Sequence, residues 1–308
     1  MNRVSTAGQN TLLLVDVLKQ QTRIFDTQKQ VTSGYKSQDY QGIASDVVTL
    51  QGAKSVLSKT EQYLQTNTEL RRVTELQNLS LQGVTDIATQ LRTKLISSLN
   101  AGSGIGLRDE IDTMYNSVVN YLTVQDNGRY LFGGTRTDEA PINANTPAEL
   151  EALGAGNADQ AFENNQLRPQ ARVDDGLTLT YGVLASDTAG PLLQLLQDLM
   201  IFSTTNGAFS NPLSTAERDF IISKIPESGA AFDQANLVQA QHGIIMKRLE
   251  EVEDRHISDK NFLTNFIGDI EEVDVAAAVS RLQQDQVSLE ASFRVFAQLN
   301  NLSLLNFL

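Results

Sequence analysis

Apolar side chains recur at helical spacing along both ends of this chain and lose that rhythm in the middle. From Thr11 to Val31, the residues Leu14, Val17, Leu18, Ile24, Phe25 and Val31 recur at steps of mostly three, four or seven, which predicts a helix with one apolar stripe. Ser33-Gly34 supplies a stop, because glycine accepts the left-handed backbone that ends helices. The polar segment Tyr35 to Gly42 reads as an irregular loop. A longer run follows from about Ala44 to Ser98. Val47, Leu50, Leu57 and Leu64 keep heptad spacing, and Val73, Leu76, Val84, Ile87, Leu91 and Leu95 continue the face. Gly52 and Gly83 weaken it by about 1 kcal/mol each. Roughly 55 helical residues would make a rod of about 80 Å, longer than a globular helix needs and suited to a bundle or coiled coil. Gly102, Gly104 and Gly106 break the run and read as a flexible joint. A third helix is expected from Leu107 to Asn127, with Ile111, Met114, Tyr115, Val118, Val119 and Leu122 inward, and Gly128 to Gly134 as a turn around a short strand.

The stretch 138–190 carries Pro141, Pro147 and Pro169 and short β-prone pieces. Arg172-Val173 leads through the turn Asp174-Asp175-Gly176 into a strand over Leu177 to Tyr181. Pro191 is placed to start a helix, with Leu192, Leu195, Leu196 and Leu199 behind it. Ser214 and Glu217 have capping-box spacing at the head of a returning helix, which Pro226 is expected to interrupt before it resumes to about His256. Asp274 is placed to cap a last helix whose face is Val275, Val279, Leu282, Leu289, Phe293 and Phe296, with Gln286 as a polar gap. The tail from Leu299 to Leu308 is apolar enough to need a covering surface, as an assembly would provide. The fold class is therefore mainly α: an elongated antiparallel helical bundle or coiled-coil shaft made from both ends, with a small mixed α/β or β-rich middle insert.

Composition sharpens this. All six prolines lie between Pro141 and Pro226, so both ends are free to run as long helices. Aromatic residues are only 6% of the chain, which points to a thin core of Leu, Val, Ile and Ala. The net charge of −13 argues against nonspecific nucleic-acid or anionic-membrane partners. It is unevenly spread: residues 1–100 hold 11 basic against 8 acidic side chains, and residues 227–308 hold 6 against 13. Ends of opposite sign are suited to pair with each other or with neighbouring copies. The only early apolar run, Leu12 to Val15, stops at Asp16, too short for a cleaved signal, and no run of about 18 apolar residues exists for a membrane span. A cytoplasmic location is the plain expectation, though a chain without cysteine also suits export without a cleaved signal.

Candidate chemistry is sparse. Without cysteine there is no thiolate nucleophile, disulfide or Cys-based metal site, and two histidines cannot make a three-histidine centre. Gly102-Ser-Gly104-Ile-Gly106 resembles a phosphate loop, but a helix precedes it and Asp109 and Glu110 follow. Glu250, Glu251, Glu253 and Asp254 point in several directions on a helix and read as a solvated face. His242 and His256 are near four helical turns apart and have no nucleophile motif beside them. Tyr130-Leu131-Phe132 reads as a core anchor rather than a base-stacking platform, given its acidic surroundings. No catalytic residue, metal ligand or cofactor is assigned, and an enzyme is not expected.

Three segments in order resemble the bacterial flagellin family: Gln30-Val31-Thr32-Ser33-Gly34-Tyr35-Lys36, Ile270 through Asp274 to Leu282, and Ser288-Leu289-Glu290-Ala291-Ser292-Phe293 to Leu304-Leu305-Asn306-Phe307-Leu308. The resemblance covers roughly residues 1–137 and 214–308. Met1 to Ser5 and the stretch Asn127 to Asp138 are similar to the hook-associated branch, save that Gly134 stands where Ala or Ser is common. The resemblance implies five parts: 1–43 and 269–308 as the inner helical core, 44–137 and 214–268 as the shaft, and 138–213 as the insert. It implies export through the flagellar channel and assembly outside the cell. Expected partners are copies of the chain, a neighbouring hook-associated protein, flagellin and an export chaperone, with no nucleic acid and no membrane. Leu14, Leu18, Ile24 and Phe25 are expected to face Leu282, Leu289, Phe293, Phe296, Leu304 and Leu305 in that assembly. A filament flagellin and an acidic helical cytoplasmic adaptor are the alternative readings.

Overall fold

Helix α1 (Arg3–Ser33) ends at the expected stop: Gly34 has φ +77° and its N–H donates to the Gln30 carbonyl at 2.8 Å. The computed structural model describes residues 3–305; the side chains of residues 3–7, 9, 10, 296 and 299–305 lie outside that description. After the loop come α2 (Val47–Ala101) and α3 (Leu107–Leu122), then a two-stranded hairpin of β1 (Gln125–Asp126) and β2 (Arg129–Tyr130). The short α4 (Pro147–Ala152) precedes a second antiparallel pair, β3 (Gln170–Asp174) with β4 (Leu177–Thr180). Three further helices complete the described residues: α5 (Ala185–Asn206), α6 (Thr215–Glu271) and α7 (Val275–Leu305). The chain is mainly helical, with two small sheets, as the hydrophobic periodicity predicts.

The residues gather into two units, Met1–Thr60 with Ser258–Leu308, and Glu61–Ile257. In the first, α1 packs antiparallel on α7. Val273 N–H donates to the Gly34 carbonyl at 2.9 Å, Lys36 N–H to Glu271 at 2.7 Å, and Lys54 pairs with Glu271 at 2.5 Å. Asp274 caps α7, accepting from Ala277 N–H at 3.0 Å.

The second unit holds the main core. Leu81, Val84, Ala88, Leu91 and Leu95 of α2 meet Ile111, Tyr115, Val118 and Leu122 of α3, the leucines of α5, and Ala231, Ala235 and Val238 of α6. Helix α2 can carry Gly83 because the Tyr121 ring lies on it; a Cβ there would come within 2.5 Å of that ring. Phe132 is fully buried, so Tyr130-Leu131-Phe132 is a core anchor. A smaller cluster of Leu70, Val173, Leu179, Leu249 and Val252 fastens the β3–β4 pair.

Four local expectations need correction, each for a physical reason. Helix α3 stops at Leu122 rather than Asn127, because Asn127-Gly128 (φ 49° and 77°) forms the two-residue turn pairing Gln125 with Tyr130. Helix α5 starts at Ala185, six residues before Pro191. Its first turn is seeded from afar by Ala185 N–H on the Phe132 carbonyl, and the Asp187 carbonyl that Pro191 cannot reach takes a hydrogen bond from Gln234 Nε2 at 2.8 Å. Helix α6 runs through Pro226 and past His256 to Glu271, held by burial of Ile221 and Ser228 on either side of the ring. The 102–106 joint is pinned rather than flexible: Gly104 N–H donates to Ser210 at 2.9 Å and Leu213 N–H to Gly102 at 2.8 Å.

The capping box forms in both directions. Glu217 accepts from Ser214 N–H at 2.6 Å, and its own N–H donates to Ser214 Oγ at 3.3 Å. Burial disfavours the Glu217 charge, but hydrogen bonds from Ser210 and Ser214 outweigh it and hold the carboxyl at about 2. A carboxyl lowered by folding adds stability above its ordinary value of 4.5 and loses it as pH falls from there towards 2. Glu217→Gln is therefore expected to cost about 1–2 kcal/mol at pH 7. Urea midpoints measured from pH 7 to pH 3 should show that deficit shrinking as the unaltered chain loses its own advantage.

Candidate assembly surface

The α1–α7 pair is built on alternating steps of four and three. On α1 the inward positions are Leu13, Val17, Gln20, Ile24, Thr27 and Val31; on α7 they are Ala278, Leu282, Asp285, Leu289 and Ser292. This is the repeat of a coiled-coil seam, which keeps one side of each helix on its partner. Val17 and Ala278 are buried in it, and Ser292 Oγ donates to Gln20 Oε1 at 3.2 Å across it. Polar seam residues of this kind fix register at some cost in stability.

The ten expected contact residues therefore divide. Ile24, Leu282 and Leu289 lie half-buried in the seam. Leu14, Leu18, Phe25 and Phe293 lie outside the seam among the described residues: they are 52%, 54%, 56% and 48% exposed. The side chains of Phe296, Leu304 and Leu305 lie outside the described residues. The expectation followed the most apolar positions, whereas the seam follows spacing and admits Gln20, Thr27, Asp285 and Ser292. An unbroken count of four and three that ignored polarity would have found it.

Leu14, Leu18 and Phe25 make a second stripe, roughly 120° around α1 from the seam at 3.6 residues per turn. Lys29 Nζ stands 4.4 Å from the centre of the Phe25 ring, a cation–π contact that steadies an aromatic side chain at the surface. Along the seam's flank, Leu13, Val15, Leu18, Lys19, Arg23 and Ser292 line an open groove. The surface is thus apolar with a charged edge of Asp16, Lys19 and Arg23, suited to burying a further helix.

The other candidates resolve into structural roles. His242 Nε2 lies 2.7 Å from the Thr74 carbonyl and His256 Nε2 2.9 Å from that of Val173, both buried. Burial lowers the His242 imidazole below its ordinary 6.5, against the opposite pull of the Thr74 bond. In the acidic run of α6, Glu253 faces Arg71 at 3.4 Å. Among the described residues no cluster of three His, Asp or Glu side chains has the geometry to hold a metal ion, and no helix is long and apolar enough to cross a membrane. Arg108 is a structural node that sequence reasoning passed over. It meets Asp112, the Met200 carbonyl at 3.0 Å, Thr204 and Glu151, and so ties together α3, α4 and α5. Its partners are 43 to 96 residues away except for Asp112, so nothing local announces it.

Comparison with known proteins bears on this surface. Residues 227–308, which include the whole of α7, match the family model of the bacterial flagellin C-terminal helical region. No curated protein sequence matches the chain. Among solved structures, the chain is similar to a flagellar hook-associated protein from Vibrio parahaemolyticus, with TM-score 0.52 and 19% identity over 72% of this chain and 96% of that one. It is also similar to FlgL from Bacillus cereus, with TM-score 0.55 and 17% identity over 71% of this chain and 99% of that one. At these identities the likeness speaks for the fold.

Seam and outer stripe should answer differently to a charge. Val17→Asp is expected to cost roughly 3 kcal/mol and release α1 from α7. Leu18→Asp, on the exposed stripe, should leave the pair intact. Limited proteolysis of the purified variants checks this: α1 should be cut early in the first and stay protected in the second.

Proposed function

We propose that this chain, which carries the bacterial flagellin C-terminal helical region, is a structural protein of the flagellum that joins hook to filament. It works by packing its terminal helices against neighbouring subunits and catalyses no reaction. The observation that carries the reading is the second apolar stripe on α1, left exposed beside a seam already closed by α7. A helix pair that is complete within the chain and still apolar outside it is suited to head-to-tail burial in a ring or helix of copies.

In this reading 1–43 and 269–308 form the inner core of the assembly, 44–137 and 214–268 its shaft, and 138–213 an outward insert. Leu14, Leu18, Phe25 and Phe293 meet neighbouring copies, joined by Phe296, Leu304 and Leu305. The neighbours are another hook-associated protein on one side and flagellin on the other. The chain reaches them outside the cell after export as an unfolded chain accompanied by a chaperone, without a cleaved signal. No cofactor, nucleic acid or membrane enters the mechanism.

A filament flagellin would use the same terminal helices. The junction is favoured by the Asn127 to Asp138 stretch and by the hook-associated name of the Vibrio relative. Adding the purified chain to filament fragments separates the two: one short layer or none fits the junction, and a long self-polymer fits flagellin. Intact protein found only in the cytoplasm of motile cells would instead support the adaptor reading.

Phe293→Asp, or removal of the last twenty or so residues, is expected to leave the Glu61–Ile257 unit folded and to abolish swimming. Electron microscopy of such cells should show hooks without filaments, with flagellin released into the medium. Normal motility in those cells would overturn the proposal.

A further inference from the structure

The chain has only two histidines, and both lie on α6. His242 and His256 stand fourteen residues apart on α6, on the buried face that also carries Leu249 between them. Each ring points Nε2 at a main-chain carbonyl of a facing element, Thr74 on α2 and Val173 on β3. A carbonyl only accepts, so each Nε2 carries the hydrogen and each neutral ring keeps its lone pair on Nδ1. There the two sites part. His256 stacks on Tyr63 with ring centres 5.4 Å apart, and Asp174 Oδ1 lies 3.8 Å from its Nε2, so a charge on that ring meets a carboxylate. His242 has no such neighbour, and its Nδ1 is buried without a hydrogen-bond partner.

We infer that His242 is an acid-released pin between α2 and α6: neutral, it ties α6 to Thr74, and a proton taken from solvent onto Nδ1 drives the two helices apart. The added N–H would be a buried donor with nothing to accept it, on a ring whose charge has no partner. The charged side chains next to its partner Thr74 in sequence are already engaged. Flanking Thr74 on α2, Arg71 faces Glu75 and Glu253, and Arg72 faces Asp126 of the β1–β2 hairpin. Among the described residues no carboxylate pairs with His242, whose surroundings are burial and the Thr74 carbonyl. Burial, the larger influence, lowers the His242 imidazole below 6.5, which agrees with the geometry. The sign follows. A base weakened by folding leaves stability whole above about pH 6.5 and removes it as pH falls below that value, by up to tenfold in the unfolding equilibrium per pH unit for one proton. This device concerns the Glu61–Ile257 unit alone and stands whether or not the flagellar reading does.

The full-length chain, labelled with ¹⁵N-histidine, gives a spectrum of two rings. Both should carry hydrogen on Nε2 at pH 7.5, and His242 should still be neutral in the folded chain at pH 5.5. Urea unfolding at pH 7.5 and 5.5 then compares the unaltered chain with His242→Gln and His256→Gln, since glutamine keeps an N–H donor but does not titrate. The unaltered chain and His256→Gln should lose up to tenfold more in folding equilibrium between these conditions than His242→Gln does. The inference is overturned if His242→Gln keeps the full pH dependence, or if His242 carries its hydrogen on Nδ1. Should the glutamine variant fail to fold, the spectrum decides. A ring at 242 that stays neutral at pH 5.5 upholds the pin, and one that titrates in the ordinary range while the chain stays folded removes it.

Discussion

Antiparallel pairing of the two ends of the chain is the constraint from which everything else follows. Helix α1 is closed by α7, with Gln20 meeting Ser292 across 272 positions of sequence. Within the Glu61–Ile257 unit, α2 meets α6 through Thr74 and His242, Thr85 and Gln239, and Arg71 and Glu253. Helix α1 has no partner until α7 is present, and α2, although it packs on α3 and α5, completes its buried face only with α6. Closing so long a loop costs little more than closing one of half the length, because the entropy grows only with the logarithm. It does defer folding, since non-local contacts are rewarded late. A chain so arranged stays open until it is complete, which suits the passage as an unfolded chain that the proposed function requires.

The polar content of the seams qualifies how tightly the ends are held. Gln20, Thr27, Asp285 and Ser292 occupy inward positions of α1–α7, and Asn67, Thr74, Gln77 and His242 are buried in the larger unit. Leucine at these places would bind more strongly but would tolerate slipped registers, which polar pairs resist. Of the apolar residues of α1 that the seam does not take, Leu14, Leu18 and Phe25 are arrayed in a stripe outside it, and Leu12 and Val15 are also exposed. Pairing that is specific and moderate inside, with an apolar surface left outside, fits a subunit that must first find its own register and then be buried by others.

Much of this was legible in the sequence because helices of this length announce themselves by period. The stop at Gly34, the Ser214–Glu217 box and the Asp274 cap are local chemistry, and sequence and structure agree on them; at Asn127-Gly128 the turn is where the sequence puts it, and α3 ends five residues before it. Where structure and sequence differ, the cause is a contact from elsewhere in the chain. Pro191 looked like a helix start because nothing nearby shows that Gln234 relieves the Asp187 carbonyl. The glycine joint looked loose because Ser210 and Leu213, which hold it, arrive a hundred residues later. At the candidate surface, hydrophobicity points to Leu14, Leu18 and Phe25 on the exposed stripe, and the four-three spacing points to Gln20 and Thr27 in the seam.

The most direct test of the account uses the absence of cysteine from the chain. Cysteine placed singly at Leu18 or Phe25 can be labelled with a maleimide in the purified chain and again in intact flagella. Both positions should label rapidly in the free chain and be strongly protected after assembly; equal labelling before and after assembly would contradict burial of this stripe between copies.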